Sequence, residues 1–170
     1  MNQLRITRSL FEHIRKDLAR PHKVAVERVG FMYARTVSTA RGSLLLAFDY
    51  LPVKDEDYLP DPYVGAKFGS AAIRSAMQRA LTLKAACLHV HMHPALYPAS
   101  FSSTDIDSNR KLTPSFMALV PKEPHGAVVW AGATFCGTLW QSGIDVTTAI
   151  DRMVVVGYPL TFMRNPNDPE

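Results

Sequence analysis

Residues 86–94 read ACLHVHMHP, and this stretch decides the fold that the sequence predicts. The run Ala86–Met92 is short and rich in apolar residues, which predicts a buried β-strand. Successive side chains of a strand point to opposite faces of its sheet, so we expect the alternating histidines on one face and the apolar residues on the other. Pro94 offers no backbone N–H and is expected to end the strand, which leaves the histidines at a sheet edge.

Apolar residues at helical spacing surround this strand and predict helices over 9–19, 69–83 and 104–112. Ser9 and Glu12 are expected to form a capping box at the start of the first helix. The third is expected to be capped by Thr104. For the second helix the pattern predicts a buried face made of Ile73, Met77, Ala80 and Leu81.

Strands interleaved with these helices predict an α/β fold, a mixed β-sheet packed by two to three helices. The extended segments are 25–36, 43–53, 86–92, 116–120, 127–140 with a break at Gly132, and 152–157, and a turn over 38–42 joins the first two. A length of 170 residues with 47% apolar residues fits one core. We therefore expect a single domain over 1–163 and a polar C-terminal tail over 164–170.

Composition excludes several classes of function. The 19 basic and 15 acidic residues are scattered without a basic run, so nucleic-acid binding is not expected. Two cysteines, Cys87 and Cys136, stand in apolar stretches and predict buried thiols, not a disulfide framework. The opening residues MNQLRI do not form a secretory signal, and no apolar run reaches the ~18 residues of a membrane span. A soluble, cytoplasmic protein without membrane contact is expected.

A metal site is predicted from the histidines together with one acid. Two imidazoles spaced two residues apart on a strand can reach one ion, although alternating histidines can also be hydrogen-bonded core residues. Asp105 can supply a carboxylate ligand to the same ion. An acid in the first turn of a helix is, however, also favoured by the helix dipole alone. Two imidazoles and one carboxylate leave a fourth tetrahedral position for water, which is the arrangement of catalytic zinc.

Activated water also requires a base, and the sequence offers Glu27. This carboxylate precedes the apolar run Val29-Gly30-Phe31-Met32-Tyr33, where an acid is unusual. The alternative interpretation is a solvated acid at the end of a strand.

Together these residues resemble the JAMM signature of the JAB/MPN metalloprotease family, a Glu upstream of His-x-His-Pro and then Ser-x-x-Asp. In this chain the signature is Glu27, His91-Met92-His93-Pro94 and Ser102-Ser103-Thr104-Asp105. The resemblance covers roughly 4–140 and is strongest for the compact prokaryotic, deubiquitinase-like branch. Met92 departs from the usual Ser or Thr, and the segment between His93 and Ser102 is one residue longer than in the commonest eukaryotic form, which makes Asp107 a competitor of Asp105.

The resemblance implies an MPN, cytidine-deaminase-like architecture and one zinc ion bound by His91, His93 and Asp105. It implies that Glu27 is the general acid and base and that Ser102 hydrogen-bonds the oxyanion, whereas His89 is a core or supporting residue. The implied substrate is a ubiquitin-like protein or its conjugates, with activating and conjugating enzymes encoded in the same operon, for example in bacterial antiviral defence. Part of the groove for the extended tail is expected from the acidic surface loop 54–65, to which the sequence assigns no regular structure.

Two alternatives stay open. One is an MPN scaffold without catalysis, which binds partners but no metal. The other keeps the zinc chemistry and changes the substrate to a small amide or to the tail of a sulfur-carrier protein. Neither the modifier nor the oligomeric state is specified by the sequence.

Overall fold

The computed structural model describes residues 1–40, 42–141 and 147–166, and these form an α/β fold. Its helices are α1 (Arg8–Leu18), α2 (Ser70–Leu83) and α3 (Ser103–Leu119), with a 3₁₀ helix over Asp55–Asp57. Its strands are β1 (Gln3–Thr7), β2 (Val29–Thr39), β3 (Gly42–Pro52), β4 (Ala86–Met92), β5 (His125–Ala131), β6 (Thr134–Trp140), β7 (Thr148–Ala149), β8 (Arg152–Val156) and β9 (Thr161–Met163). The predicted α/β class with a mixed sheet and helices packed on it is confirmed.

All of these strands belong to one mixed sheet with the order β7-β6-β5-β4-β2-β3-β1-β8-β9. β1 is parallel to β3 and β8, and β4 is parallel to β5. The sheet curls, because Arg164 just after β9 exchanges backbone hydrogen bonds with Ala133 and Phe135 beside β6. Asn165 is buried and donates to the Ile150 carbonyl. Arg164 and Asn165, the first residues of the predicted polar tail, are thus hydrogen-bonded to the folded chain. Residues 167–170 lie outside the described part of the chain.

The two faces of the sheet carry separate hydrophobic cores. Phe11, Ile14 and Leu18 of α1 pack on one face, against a set that includes Leu88 and Val90 of β4. α2 and α3 pack on the other face. Since side chains alternate along β4, the odd-numbered residues, including the histidines, point to the α2 and α3 side.

The first two helices have the predicted positions but not the predicted details. Thr7, not Ser9, is the N-cap of α1, and its side chain accepts a hydrogen bond from the Leu10 amide. β1 runs directly into α1, so Thr7 already has the extended backbone that an N-cap requires. The face that α2 buries consists of Ala72, Ala76 and Ala80, whereas Leu81 is 42% exposed. Alanines let α2 lie close to the sheet, where the Tyr33 hydroxyl donates to the Ala76 carbonyl.

The largest correction concerns α3, which the sequence divides into a helix over 104–112 and a strand over 116–120. One helix continues through Pro114 to Leu119, and Ser102 caps it instead of Thr104. Phe116 and Val120 are four residues apart and both enter the core, which satisfies a helix as well as a strand.

Smaller corrections concern loops and strand ends. Residues 25–28 precede β2 instead of opening it, and Asp55–Asp57 gives the predicted loop 54–65 a short helix. The break at Gly132 is confirmed, with a φ of +59° between β5 and β6. Arg41, in the predicted turn between β2 and β3, lies outside the described residues. None of the helices described here is both long and apolar enough to cross a membrane.

Candidate metal centre

β4 places its three histidines on one face, as its alternation predicts. The ring centroids of His89 and His91 lie 5.6 Å apart, and those of His91 and His93 lie 4.8 Å apart. His93 follows the last residue of β4, but its amide still donates to the Trp130 carbonyl of β5 at 2.8 Å. This bond holds the backbone of His93 in line with the strand, so its imidazole stays beside that of His91.

The nitrogens of two imidazoles and the oxygens of one carboxylate converge on a single point. His91 Nε2 and His93 Nε2 are 3.1 Å apart. Asp105 Oδ1 lies 3.3 Å from His91 Nε2, and Asp105 Oδ2 lies 3.6 Å from His93 Nε2. Ligands about 2.0–2.1 Å from a tetrahedral zinc ion are about 3.3 Å from one another. The three side chains therefore have the spacing that one such ion requires.

Asp105 is held in place by the start of α3. The Ser102 amide and hydroxyl donate to Asp105 Oδ2 at 2.8 and 2.7 Å, and the Asp105 amide donates to Ser102 Oγ. Burial alone would raise the pKa of the Asp105 carboxyl, but hydrogen bonds from His91 and Ser102 outweigh it and hold the pKa below its ordinary value. Asp105 is therefore a carboxylate at neutral pH.

Asp107 does not take part in this cluster. Its side chain is 63% exposed and lies 3.4 Å from Arg110 on the outer side of α3. Of the two carboxylates that the longer loop made competitors, Asp105 lies beside the histidines and Asp107 does not.

Glu27 approaches the same point from the segment before β2. Its Oε1 lies 3.8 Å from His93 Nε2, and Glu27, His91 and His93 each offer one ligand atom within 4.8 Å of the others. These three residues could hold a metal ion. The distance from Glu27 to His93 is slightly longer than those among His91, His93 and Asp105.

The cluster fits a divalent cation better than protons. In the tautomers that leave both Nε2 atoms without a proton, two imidazole nitrogens and a carboxylate would direct lone pairs at one point. A single proton would satisfy only one pair of them. One feature is atypical, because the other ring nitrogen of a metal-bound histidine usually donates to a partner. His91 Nδ1 is buried and has no such partner among the described residues. Contacts with the rings of His89 and His93 therefore orient His91.

His89 is half-buried with both ring nitrogens buried, and it packs against aromatic rings beside the cluster. Its ring lies 5.7 Å from that of Phe31 and 5.9 Å from that of Phe68. Burial, together with the nearby His91, lowers the pKa of His89 to about 3, so the ring is neutral.

A cavity of about 1010 Å³ opens over the cluster. One wall contains Asp61 to Phe68, which includes part of the loop expected to form a groove, and α3 forms another. Tyr63 on one side and Leu96 and Tyr97 on the other are 91%, 83% and 78% exposed. Leu96 and Tyr97 were not predicted as site residues, although two large apolar side chains in a loop rich in proline and serine are a signal for a binding surface.

A scan of protein-family models finds no match to this chain, and a search of curated proteins finds none either.

Proposed function

We propose that this protein is a zinc-dependent isopeptidase or peptidase of the JAB/MPN type, which cleaves after the C-terminus of a ubiquitin-like protein. The observation that carries the proposal is the convergence of His91, His93 and Asp105 at mutual distances of 3.1–3.6 Å, with Glu27 at 3.8 Å, in the wall of a large cavity. We propose the MPN, cytidine-deaminase-like architecture on the same basis. It is supported by one helix on one face of the curled sheet and two on the other.

Zinc is proposed as the metal because His91, His93 and Asp105 are a nitrogen and oxygen set with three protein ligands, which leaves one tetrahedral position open. When bound, zinc supplies Lewis-acid chemistry and brings the pKa of water from 15.7 to about 7.

Glu27 carries the proton transfers in this proposal. Its carboxylate accepts a proton from the attacking water and later delivers it to the leaving amine. The Gly65 carbonyl accepts hydrogen bonds from the Val26 and Glu27 amides at 2.8 and 3.0 Å, so the backbone of Glu27 is attached to the loop that lines the cavity. The base and one wall of the proposed substrate groove are therefore directly linked.

Ser102 is proposed to hydrogen-bond the oxyanion that forms on the scissile carbonyl. In this structure its hydroxyl donates to Asp105 at 2.7 Å. A hydroxyl has one proton, so donating to the substrate requires that it turn away from Asp105. The backbone bond from the Ser102 amide to Asp105 remains during such a turn.

The substrate is proposed to enter the cavity as an extended C-terminal tail between Tyr63 and the Leu96–Tyr97 pair. Exposed large apolar side chains at a cavity mouth offer contact area to a protein partner. The activating and conjugating enzymes of the same operon, as in bacterial antiviral defence, are proposed as further partners by analogy with the family.

The test uses the purified protein and a ubiquitin-like protein fused through its C-terminal glycines to a reporter. We expect about one zinc per chain by elemental analysis, cleavage at the end of the ubiquitin-like part, loss of cleavage after chelation and its return on adding zinc. A chain that binds no zinc even after titration would contradict the proposal and favour the scaffold.

The size of the cavity favours one second candidate, a hydrolase of small amides or sulfur-carrier tails. Pockets of about 300–1,000 Å³ bury most of a drug-sized ligand, and this cavity reaches that range. Zinc binding with release of a small amine from a short acylated peptide, but no cut in the protein fusion, would select this candidate.

A further inference from the structure

The residue after Glu27 is a buried arginine that no step of the proposed reaction uses. Arg28 is 3% exposed. Its Nε donates to the Arg20 carbonyl at 2.9 Å, its Nη2 to the Pro21 carbonyl at 3.2 Å and its Nη1 to Asp55 Oδ1 at 2.8 Å. Burying a cation is costly unless it is paired and hydrogen-bonded, and the three acceptors satisfy this requirement. We call the Arg28 guanidinium with these three acceptors the clamp.

This clamp joins Arg28 to the nearby end of α1 and to a segment 27 residues further along the chain. Arg20 and Pro21 follow the end of α1, Asp55 begins the 3₁₀ helix after β3, and Arg28 itself precedes β2. A planar fork can meet all three acceptors at once, whereas the ammonium of a lysine is a point charge on a flexible stem.

Tyr58, which directly follows this short helix, and His22 also hold the backbone on both sides of Glu27. The Val29 amide donates to the Tyr58 hydroxyl at 2.8 Å. His22 Nδ1 accepts from the Val24 and Ala25 amides at 3.2 and 3.1 Å, and the His22 ring lies 4.4 Å from that of Tyr58. Glu27 belongs to no helix or strand, so these attachments and the bonds to Gly65 hold the backbone from which its carboxylate extends.

We propose that Arg28 is a positioning residue, whose buried guanidinium fixes the segment before β2 so that the Glu27 carboxylate stays beside His93. This inference rests on the proposed function, because the position of Glu27 affects turnover only if Glu27 handles protons. Misplacing a catalytic group by about 1 Å can reduce turnover on the order of 10²-fold.

The test compares Arg28→Lys and Asp55→Asn with wild type, each loaded with zinc. Arg28→Lys keeps the positive charge and loses the planar guanidinium. Asp55→Asn removes the negative charge of the exposed acceptor. Arg79→Lys is the control, because Arg79 makes a two-pronged ion pair with Asp49 and neither residue lines the cavity. We expect Arg28→Lys and Asp55→Asn to keep one zinc per chain and a similar KM and to lose about 10- to 100-fold in kcat. Arg79→Lys should keep both its zinc and its kcat.

A crystal structure of Arg28→Lys gives a readout that needs no substrate. We expect Glu27 Oε1 to move by roughly 1 Å or more from its place 3.8 Å from His93 Nε2, while the distances among His91, His93 and Asp105 stay unchanged. Glu27 in its original place, or a folded variant with unchanged kcat, would overturn the inference. A wild-type protein that cleaves nothing would contradict the proposed function instead, and the crystal structure would still decide the role of Arg28. If Arg28→Lys does not fold, Asp55→Asn carries both measurements.

Discussion

Ser102 and Asp105 hold each other through three hydrogen bonds that both cap α3 and aim a carboxylate at the metal cluster. The Asp105 oxygen opposite this capping box lies 3.3 Å from His91 Nε2. A single local motif, serine followed three residues later by an acid, therefore serves helix formation and ligand placement together.

Ser102→Ala should lower the stability of the fold, weaken zinc binding and slow turnover. Losing an N-cap hydroxyl costs about 1 kcal/mol, and the same change removes a donor that keeps Asp105 charged and aimed. Urea denaturation gives the first effect, and competition with a chromogenic chelator gives the second. Thr104→Ala is the control, because it changes a neighbouring hydroxyl that caps no helix, and equal losses in both variants would remove the special role of Ser102.

Asp105→Asn should lose zinc and activity, whereas Asp107→Asn should lose neither. Only Asp105 lies within 3.6 Å of both imidazoles, while Asp107 is exposed beside Arg110. Elemental analysis of the two purified variants provides the comparison. Zinc retained by Asp105→Asn and lost by Asp107→Asn would show that the ligand set is assigned to the wrong carboxylate.

Glu27→Ala should keep one zinc per chain and lose at least about 10²-fold in kcat, because Glu27 is proposed as the general base and not as a ligand. Glu12→Ala, an exposed acid on α1, is the control. Metal content and single-turnover cleavage are measured on the same preparations. Loss of zinc from Glu27→Ala would make this carboxylate a ligand.

Gly65→Ala should impair turnover without removing any functional group. A Cβ at this position would lie 2.8 Å from Glu27 Oε2 and 2.9 Å from its Cδ, so the glutamate side chain must move. We expect a fall in kcat with zinc content unchanged. Gly69→Ala, where an added Cβ meets nothing closer than 3.8 Å, is the control, and equal kcat values in the two variants would disprove the coupling.

The ion pair between Arg28 and Asp55 should contribute to the pH dependence of stability. The hydrogen bond from Arg28 holds the pKa of the Asp55 carboxyl below its ordinary value. A lowered folded-state pKa adds stability above the unfolded value, near pH 3.9, and this stability disappears as the pH falls through the folded pKa. Denaturant midpoints of wild type and Asp55→Asn should therefore differ near neutral pH and converge in acid. A difference that is the same at every pH would contradict this, and Glu56→Gln provides the control.

Both ends of the histidine-bearing strand were predicted correctly from the sequence. Ala86–Met92 combines a short apolar run with a period of two and a terminating proline. It also selected Glu27, His91, His93, Ser102 and Asp105, which the fold brings together. Here the information is local, or is contained in a motif with fixed spacing.

Other features depend on contacts that no local pattern contains. The buried alanines of α2 are inconspicuous in a search for large apolar residues, and Phe116 with Val120 suits either a strand or the end of α3. The sequence does not distinguish Arg28 from an ordinary surface arginine. Its role depends on Asp55 and on the carbonyls of Arg20 and Pro21, which only the fold places around it.

The position of β1 has a consequence for synthesis on the ribosome. Gln3–Thr7 fills an inner slot of the sheet, between β3 and β8, and pairs with Leu44–Ala47 on one side and Arg152–Val156 on the other. During synthesis β1 therefore leaves the exit tunnel long before β8 and acquires its second neighbour only after β8 has followed it. Such long-range pairing slows folding, and until it is complete the nascent chain presents one unpaired edge of β1 to chaperones.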